Sequence, residues 1–256
     1  MAEWLAQAPG MVQALPEWLQ ELLYSLYRVF IMNDNWRYFT NGLKVTALTT
    51  LGALLLGVII GVLVAVIRSA HDSRRSNAKP NIILNLANVI CKLYLTIIRG
   101  TPMMVQLLIA SFVIMTPRGQ TETLICAIIT FGINSGAYVA EIVRSGIMSI
   151  SAGQMEAGRS LGLNYSQTMR FIIIPQAVKN ILPALGNELI TLVKETSIVT
   201  TIGLNDVTKG AQIIVSNTYE TMVAYVSLAV IYLVIVLVLT KLLGIFERRL
   251  RASDRR

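Results

Sequence analysis

The chain is poor in charge and nearly empty of histidine and cysteine. Of its 256 residues 14% are charged, one is His and two are Cys. Cys91 and Cys126 fall inside long apolar runs with no His or Cys cluster beside them, so neither a disulfide nor a metal site is expected. His71 sits in a basic loop and reads as solvated. No Gly-x-x-x-x-Gly-Lys-[Ser/Thr] phosphate loop is present, nor Gly-x-Ser-x-Gly, His-Glu-x-x-His or a paired Asp motif within an apolar run. Those absences count against a nucleotide site of its own and against an intramembrane enzyme. No Lys or Arg precedes Arg28, so the N-terminus lacks the positive start of a secretory signal. No internal repeat is visible.

What the chain has in abundance is apolar surface. It is 54% hydrophobic, with a mean hydropathy of +0.62. That composition is a membrane protein's. The net charge of +8 does not point to nucleic acid, because the positive residues sit at the ends of apolar spans.

Taken in order, residues 15–27 place Trp18, Leu22, Tyr24 and Tyr27 at helical spacing. The segment is too charged to span. It reads as a helix lying at the membrane interface or packed on the rest of the protein. Apolar spans are expected at about 43–67, 82–98, 122–143, 181–202 and 222–243. The first offers about 37 Å of helix against a bilayer core of ~30 Å. Within it Ala53, Gly57, Gly61 and Ala65 recur every fourth residue, a smooth stripe for close helix approach. The second is interrupted at Arg99-Gly100-Thr101-Pro102, a bend or gate element, and resumes over 103–115. Two forms fit 82–115: one kinked span, or a short interfacial helix followed by a span. Residues 203–220 read as an outer segment.

Positive residues gather on one side, at Arg68, Arg74, Arg75 and Lys79, at Arg144, Arg159 and Arg170, and at the tail through Arg248, Arg249, Arg251, Arg255 and Arg256. The positive-inside rule then puts the N-terminus outside and the C-terminus in the cytoplasm, with five crossings between.

Some span residues are polar. Asn134, Tyr138 and Glu141 share one helix face by spacing, as do Glu188, Thr191 and Glu195, and Gln106 can join them. An ionisable group at mid-bilayer costs ~2.5–3.5 kcal/mol, so these should face protein or water. Two readings stay open. They line a substrate pathway, or they pair for structure only, Glu141 with Arg144 and Glu195 with Lys194 or a neighbouring helix.

Between the third and fourth spans lies Gly153-Gln154-Met155-Glu156-Ala157-Gly158-Arg159-Ser160-Leu161-Gly162-Leu163, running on to Pro175. Its pattern is a helix over about 151–161, a turn at Gly162 and a second helix from about Tyr165. Such an elbow is a rigid handle for a soluble partner. The stretch resembles the Glu-Ala-Ala coupling loop of ABC-importer permease subunits, with Gly158 in place of the third residue, Ala, a change worth up to ~1 kcal/mol of helix stability. Arg99-Gly100-Thr101-Pro102-Met103-Met104-Val105-Gln106-Leu107, the stretch from Asn134 to Ile147, and Leu192-Val193-Lys194-Glu195-Thr196-Ser197 resemble the polar-amino-acid branch of the same permeases.

The resemblance covers about 38–250. It implies an all-α integral membrane protein with the five transmembrane helices of the type I ABC importer (MetI-like) permease fold, behind an N-terminal segment 1–37 and ahead of a basic tail 251–256. It further implies a bacterial inner-membrane subunit for polar amino acid uptake. An ATP-binding subunit dimer, carrying the ATP and Mg, would dock at Glu156, Ala157, Gly158, Arg159, Ser160, Leu161 and Gly162. The other implied partners are a second permease subunit, identical or paralogous, an extracytoplasmic amino-acid-binding protein, the amino acid and membrane lipid. The rival reading is an ion-gradient-driven secondary amino acid transporter.

Overall fold

The computed structural model describes residues 4, 6, 9–72 and 81–252. Arg74, Arg75 and Lys79 of the expected basic loop, the side chain of Arg251, and Arg255 and Arg256 of the tail lie outside the described residues. The described chain is helical, with no strand among the described residues. Beyond a short turn of helix at Gly10–Gln13, the α-helices among the described residues are α1 Glu17–Phe30, α2 Trp36–Asp72, α3 Ile82–Gly100, α4 Met103–Ile109, α5 Gln120–Met148, α6 Ala152–Ser160, α7 Tyr165–Thr168, α8 Ile174–Glu195, α9 Val207–Thr218 and α10 Thr221–Ala252.

The centre is the pair α2 and α5. The expected stripe on α2 is its contact face, with Ala53 and Ala65 buried. A Cβ at Gly57 would lie 2.9 Å from the Ser135 side chain, and one at Gly61 would lie 2.6 Å from Val139. Small residues are what lets two helices approach so closely where lipid supplies no hydrophobic drive between them. The pairing also fixes direction. Gly57 meets Ser135 and Gly61 meets Val139, so the two helices run parallel.

Parallel neighbours need one return pass between them, and α3 with α4 supply it. Cys91 and Leu95 of α3 pack at the level of Val64 and Ala140, while Leu107 of α4 packs at the level of Ala53 and Ala127. Of the two forms open for 82–115, the broken single pass is therefore the one adopted. The break is at Thr101 and Pro102, both extended, at ψ 145° and 136°. Pro102 disfavours a helical Thr101 and starts α4 where its missing N–H costs nothing.

The remaining passes alternate. Gly146 of α5 meets Ile181 of α8, and Ser135 of α5 meets Glu188 of α8, so α5 and α8 are antiparallel. Gly186 of α8 meets Leu243 of α10, and Leu189 and Val193 face a groove shared with Ile235 and Leu239, which makes α10 antiparallel to α8. Five passes result. Among the described residues α2, α3, α5 and α10 are long and apolar enough to cross a membrane by themselves. The polar residues of α8 lower its hydropathy.

α8 begins at Ile174, upstream of the expected 181, and its last turn tightens into 3-10 geometry over Thr196–Ile202. α9 lies in what the sequence offered only as an outer segment. Asp206 caps it through the N–H groups of Thr208 and Lys209, at 3.1 and 2.9 Å, and Val207, Ala211 and Ile214 are buried. α1 packs against α9 and α10. Arg28 bonds Glu220 at 2.7 Å, and Asn35 donates to the Arg28 carbonyl at 2.9 Å. Trp18 and Leu22 stay on its exposed face.

Gly61→Ala should lower thermal stability in detergent by about 1–3 kcal/mol, the usual cost of overpacking. Gly244→Ala, in α10 with nothing within 4 Å of the added carbon, should leave melting unchanged or raised. Equal melting shifts for the two variants would refute the seam.

Candidate functional site

The elbow at 151–168 is built from local hydrogen bonds. Ser151 caps α6 by accepting from the Gly153 N–H at 3.3 Å. At the other end Leu163 N–H donates to the Gly158 carbonyl at 3.1 Å, and Gly162 N–H to Arg159 at 3.0 Å. That paired closure needs a left-handed residue, and Gly162 has φ +83°. Asn164 and Gln167 then form a reciprocal capping box, both bonds 2.9 Å. The helix, turn and second helix stand where the sequence put them.

Gly158 is the buried contact point of the elbow. A Cβ there would lie 2.6 Å from Thr168 Cγ2 and 3.2 Å from Ile172 Cδ1. The missing methyl therefore lets α6 lie against α7 and the π-helical turn Met169–Ile173. What weakens the isolated helix tightens the elbow. Glu156, Ala157, Arg159, Ser160 and Leu161 remain exposed, Leu161 to 79%. Behind α6 a cavity of about 570 Å³ is walled by Asp72, Arg144, Met155, Arg159 and Tyr165, among others.

The polar residues of the passes fall into two groups. In the first, Gln106 repairs the helix break. Its Nε2 donates to the carbonyls of Ile98 and Thr101, at 2.7 and 3.1 Å, and to Thr101 Oγ1 at 2.7 Å. Thr101 Oγ1 in turn donates to the Ile97 carbonyl at 2.8 Å. The Ile97 and Ile98 carbonyls are among the acceptors that the end of α3 leaves without partners. Asn134, buried on α5, donates to Gln106 Oε1 at 2.9 Å. Tyr138 lies under Arg99, whose guanidinium carbon is 5.6 Å from the ring centre. Glu141 Oε1 receives Arg68 Nη1 at 3.0 Å and stands 3.8 Å from Arg99 Nη1.

The expected pairing of Glu141 with Arg144 is not formed. Arg144 turns to Asp72 at 3.6 Å, and Arg68 takes its place because it continues the α2 stripe. Gly61, Ala65 and Arg68 are spaced i, i+4, i+7, so Arg68 faces α5. In the sequence Arg68 stands out only as a topology marker, and the stripe is the signal that places it against α5.

The second group is on α8. Glu188 Oε1 accepts from Ser135 Oγ at 2.7 Å. Ser135 was missed, although it adjoins Asn134 on the seam. Thr191 is exposed and Glu195 half-buried. Glu195 forms no ion pair with Lys194 among the described residues. Glu141 and Glu188 are thus held apart, one by arginines and one by a hydroxyl. No group of three or more His, Cys, Asp or Glu placed to hold a metal occurs among the described residues.

The family model described as "Binding-protein-dependent transport system inner membrane component" matches residues 85–252. The chain is 36% identical over 218 residues to the arginine transport system permease protein ArtQ of Bacillus subtilis (strain 168), covering 85% of this chain and 94% of that protein. It is 37% identical over 168 residues to the glutamine transport system permease protein GlnP of Escherichia coli (strain K12), covering 65% of this chain and 77% of that one. Among solved structures, an amino acid ABC transporter crystallised with histidines matches with a TM-score of 0.75 at 37% identity, over 92% of this chain and 99% of that one. An inward-facing MetNI methionine ABC transporter shares the fold, with a TM-score of 0.69 at 19% identity, over 86% of this chain and 99% of that one.

Gly158→Ala should loosen the elbow, seen as faster hydrogen exchange over 151–168. Adding Thr168→Ala, which removes the opposing methyl and hydroxyl, should restore protection. If Gly158→Ala alone exchanges like wild type, the contact is not what fastens the elbow.

Proposed function

This chain belongs to the binding-protein-dependent transport system inner membrane components, and on that premise we propose how it works as the permease subunit of an ABC importer for polar amino acids. The observation that carries the reading is the elbow, a capped, self-fastened handle with an exposed face, joined without a loop to α8.

The handle is gripped at Glu156, Ala157, Arg159, Ser160 and Leu161 by a separate ATPase subunit that holds the ATP and Mg. Gly158 and Gly162 shape the grip from within. Two such ATPases closing on nucleotide draw two handles together, and the helices attached to them rock. A second permease subunit, identical or paralogous, completes the pathway. An extracytoplasmic binding protein delivers the amino acid. The N-terminus is outside and the C-terminus cytoplasmic, with 1–37 as an outer accessory segment, 38–250 as the transport domain and 251–256 as a basic tail. Ion-gradient transport is the weaker reading, since it gives the handle no task.

The substrate passes along Gln106, Asn134, Tyr138, Glu141, Glu188, Thr191 and Glu195. Arg99, Thr101 and Pro102 form the bend that gates it. A bent helix at membrane depth is stable only where protein or a cavity meets its freed backbone groups, and Gln106 does that work here. Movement at the bend must therefore exchange the Gln106 bonds for others.

Copurification with native partners, followed by ATPase assays across the amino acids, tests the core of this proposal. Ligand-stimulated hydrolysis is expected. Leu161→Ala, at an exposed position, should cut transport at least about tenfold with unchanged melting. Transport that persists without any ATPase would refute the scheme. Glu195→Gln should lower transport without loss of stability, whereas Glu141→Gln should lower both, because Arg68 then loses its partner. Normal transport by both variants would remove these carboxylates from the pathway.

A further inference from the structure

A cleft of about 490 Å³ opens between α2, α3 and α5, with Arg68, Lys92, Thr96, Arg99 and Glu141 on its walls. That lies within the roughly 300–1,000 Å³ common for small-ligand pockets. Its charge is lopsided, three cations to one carboxylate. Glu141 directs a single oxygen at two of the cations, Arg68 at 3.0 Å and Arg99 at 3.8 Å. Lys92 enters no ion pair among the described residues. Arg68 Nε is buried without a hydrogen-bond partner. Lys92, Thr96 and Arg99 are spaced i, i+4, i+7, so α3 turns one polar face to the opening.

A free carboxylate in such a cleft would suit an ammonium group. The geometry reverses the sign. Glu141 is already engaged by guanidinium groups, and the charge left to act on a ligand is positive. We propose that Lys92 and Arg99 form a subsite for the α-carboxylate of the transported amino acid. The inference rests on the reading above that the chain carries amino acids. A carboxylate meets both cations with charge-assisted hydrogen bonds, and the Thr96 hydroxyl can donate a further one. The α-carboxylate is common to all amino acids, so this subsite recognises the class and leaves side-chain selection to other groups. Tyr138 stacks on Arg99 and holds the guanidinium at the cleft edge, making it a positioning residue. An anionic phospholipid headgroup offers similar chemistry, and the test separates the two.

The permease–ATPase complex is reconstituted in nanodiscs of zwitterionic lipid, without binding protein. Binding of L-arginine, L-glutamine and L-histidine is compared with that of their α-carboxamides. Wild type should bind at least one of the acids about tenfold more tightly than its amide. Lys92→Ala should erase that preference by weakening the acid alone, with melting unchanged, and Lys92→Arg should restore it. Equal affinity of wild type for acid and amide would overturn the assignment. So would equal weakening of both by Lys92→Ala, or an effect of Lys92 seen only when anionic lipid is added. Wild-type complex that binds none of the amino acids in nanodiscs and, with its native binding protein in proteoliposomes, transports none would instead defeat the amino-acid reading. Proteoliposome transport by wild type, with acid binding indifferent to Lys92→Ala, would defeat only the carboxylate subsite.

Discussion

The close parallel contact of α2 with α5 is the constraint from which the rest of the bundle follows. Lipid is as apolar as the helices, so association has to come from fit, and here the fit comes from Gly57 and Gly61 lying on Ser135 and Val139. Two parallel helices require a return pass, and that pass is the broken α3–α4. The break frees carbonyl groups at Ile98 and Thr101, which Gln106 satisfies, and Asn134 holds Gln106 from α5. Asn134 sits one residue from Ser135, within the seam itself. Asn134, Ser135 and Gln106 are thus set at the level of the Gly57 contact.

The charged groups obey the same geometry. Arg68 prolongs the glycine stripe of α2 and therefore arrives at α5 beside Glu141. With its side chain 15% exposed, Arg68 would be costly there without a partner. One turn short of Glu141, Tyr138 faces Arg99 across the same gap. α8 approaches α5 on another side, and there a hydroxyl, Ser135, meets the carboxylate of Glu188. Neighbouring residues 134 and 135 therefore serve different helices, as adjacent positions on a helix must when it is surrounded.

Much of this was legible in the sequence, and the failures have physical causes. The stripe at residues 53, 57, 61 and 65, the Pro102 break and the Gly162 turn are local signals, written in small residues and forbidden dihedrals, and each appears in the structure. The polar faces of α5 and α8 followed from helical spacing alone. What spacing cannot give is which partner lies across a gap. Glu141 had Arg144 one turn away, yet it pairs with Arg68, which is 73 residues distant in the chain. α9 was overlooked because it is short and sits in a polar stretch, although Asp206 with Val207, Ala211 and Ile214 carried its cap and its buried face. Gly158 was read as a local weakness because helix propensity says nothing of Thr168 on the next element.

The same contacts decide how force applied at the elbow would travel. α6 is fastened to α7 by the Gly158–Thr168 contact and by the paired closure of its end through the Gly162 and Leu163 N–H groups, which leaves it no free hinge. From Thr168 the chain runs through a π-helical turn directly into α8. Pro175 explains that turn, since its ring and missing N–H disrupt the bond to residue 171 and widen the helix before it. A second proline, Pro183, removes another donor within α8. α8 therefore has two weak points between the handle and Glu188, with Ala177 and Ile181 packed on α5 between them and Leu192 and Val193 buried beyond. A pull on the handle would be taken up first at Pro175, ahead of the Ala177 and Ile181 contacts with α5, and next at Pro183, ahead of the Ser135–Glu188 bond. The glycine seam of α2 and α5 holds the other side of the bundle. That division, a fixed pair and a jointed arm, follows from where glycine and proline fall in the chain.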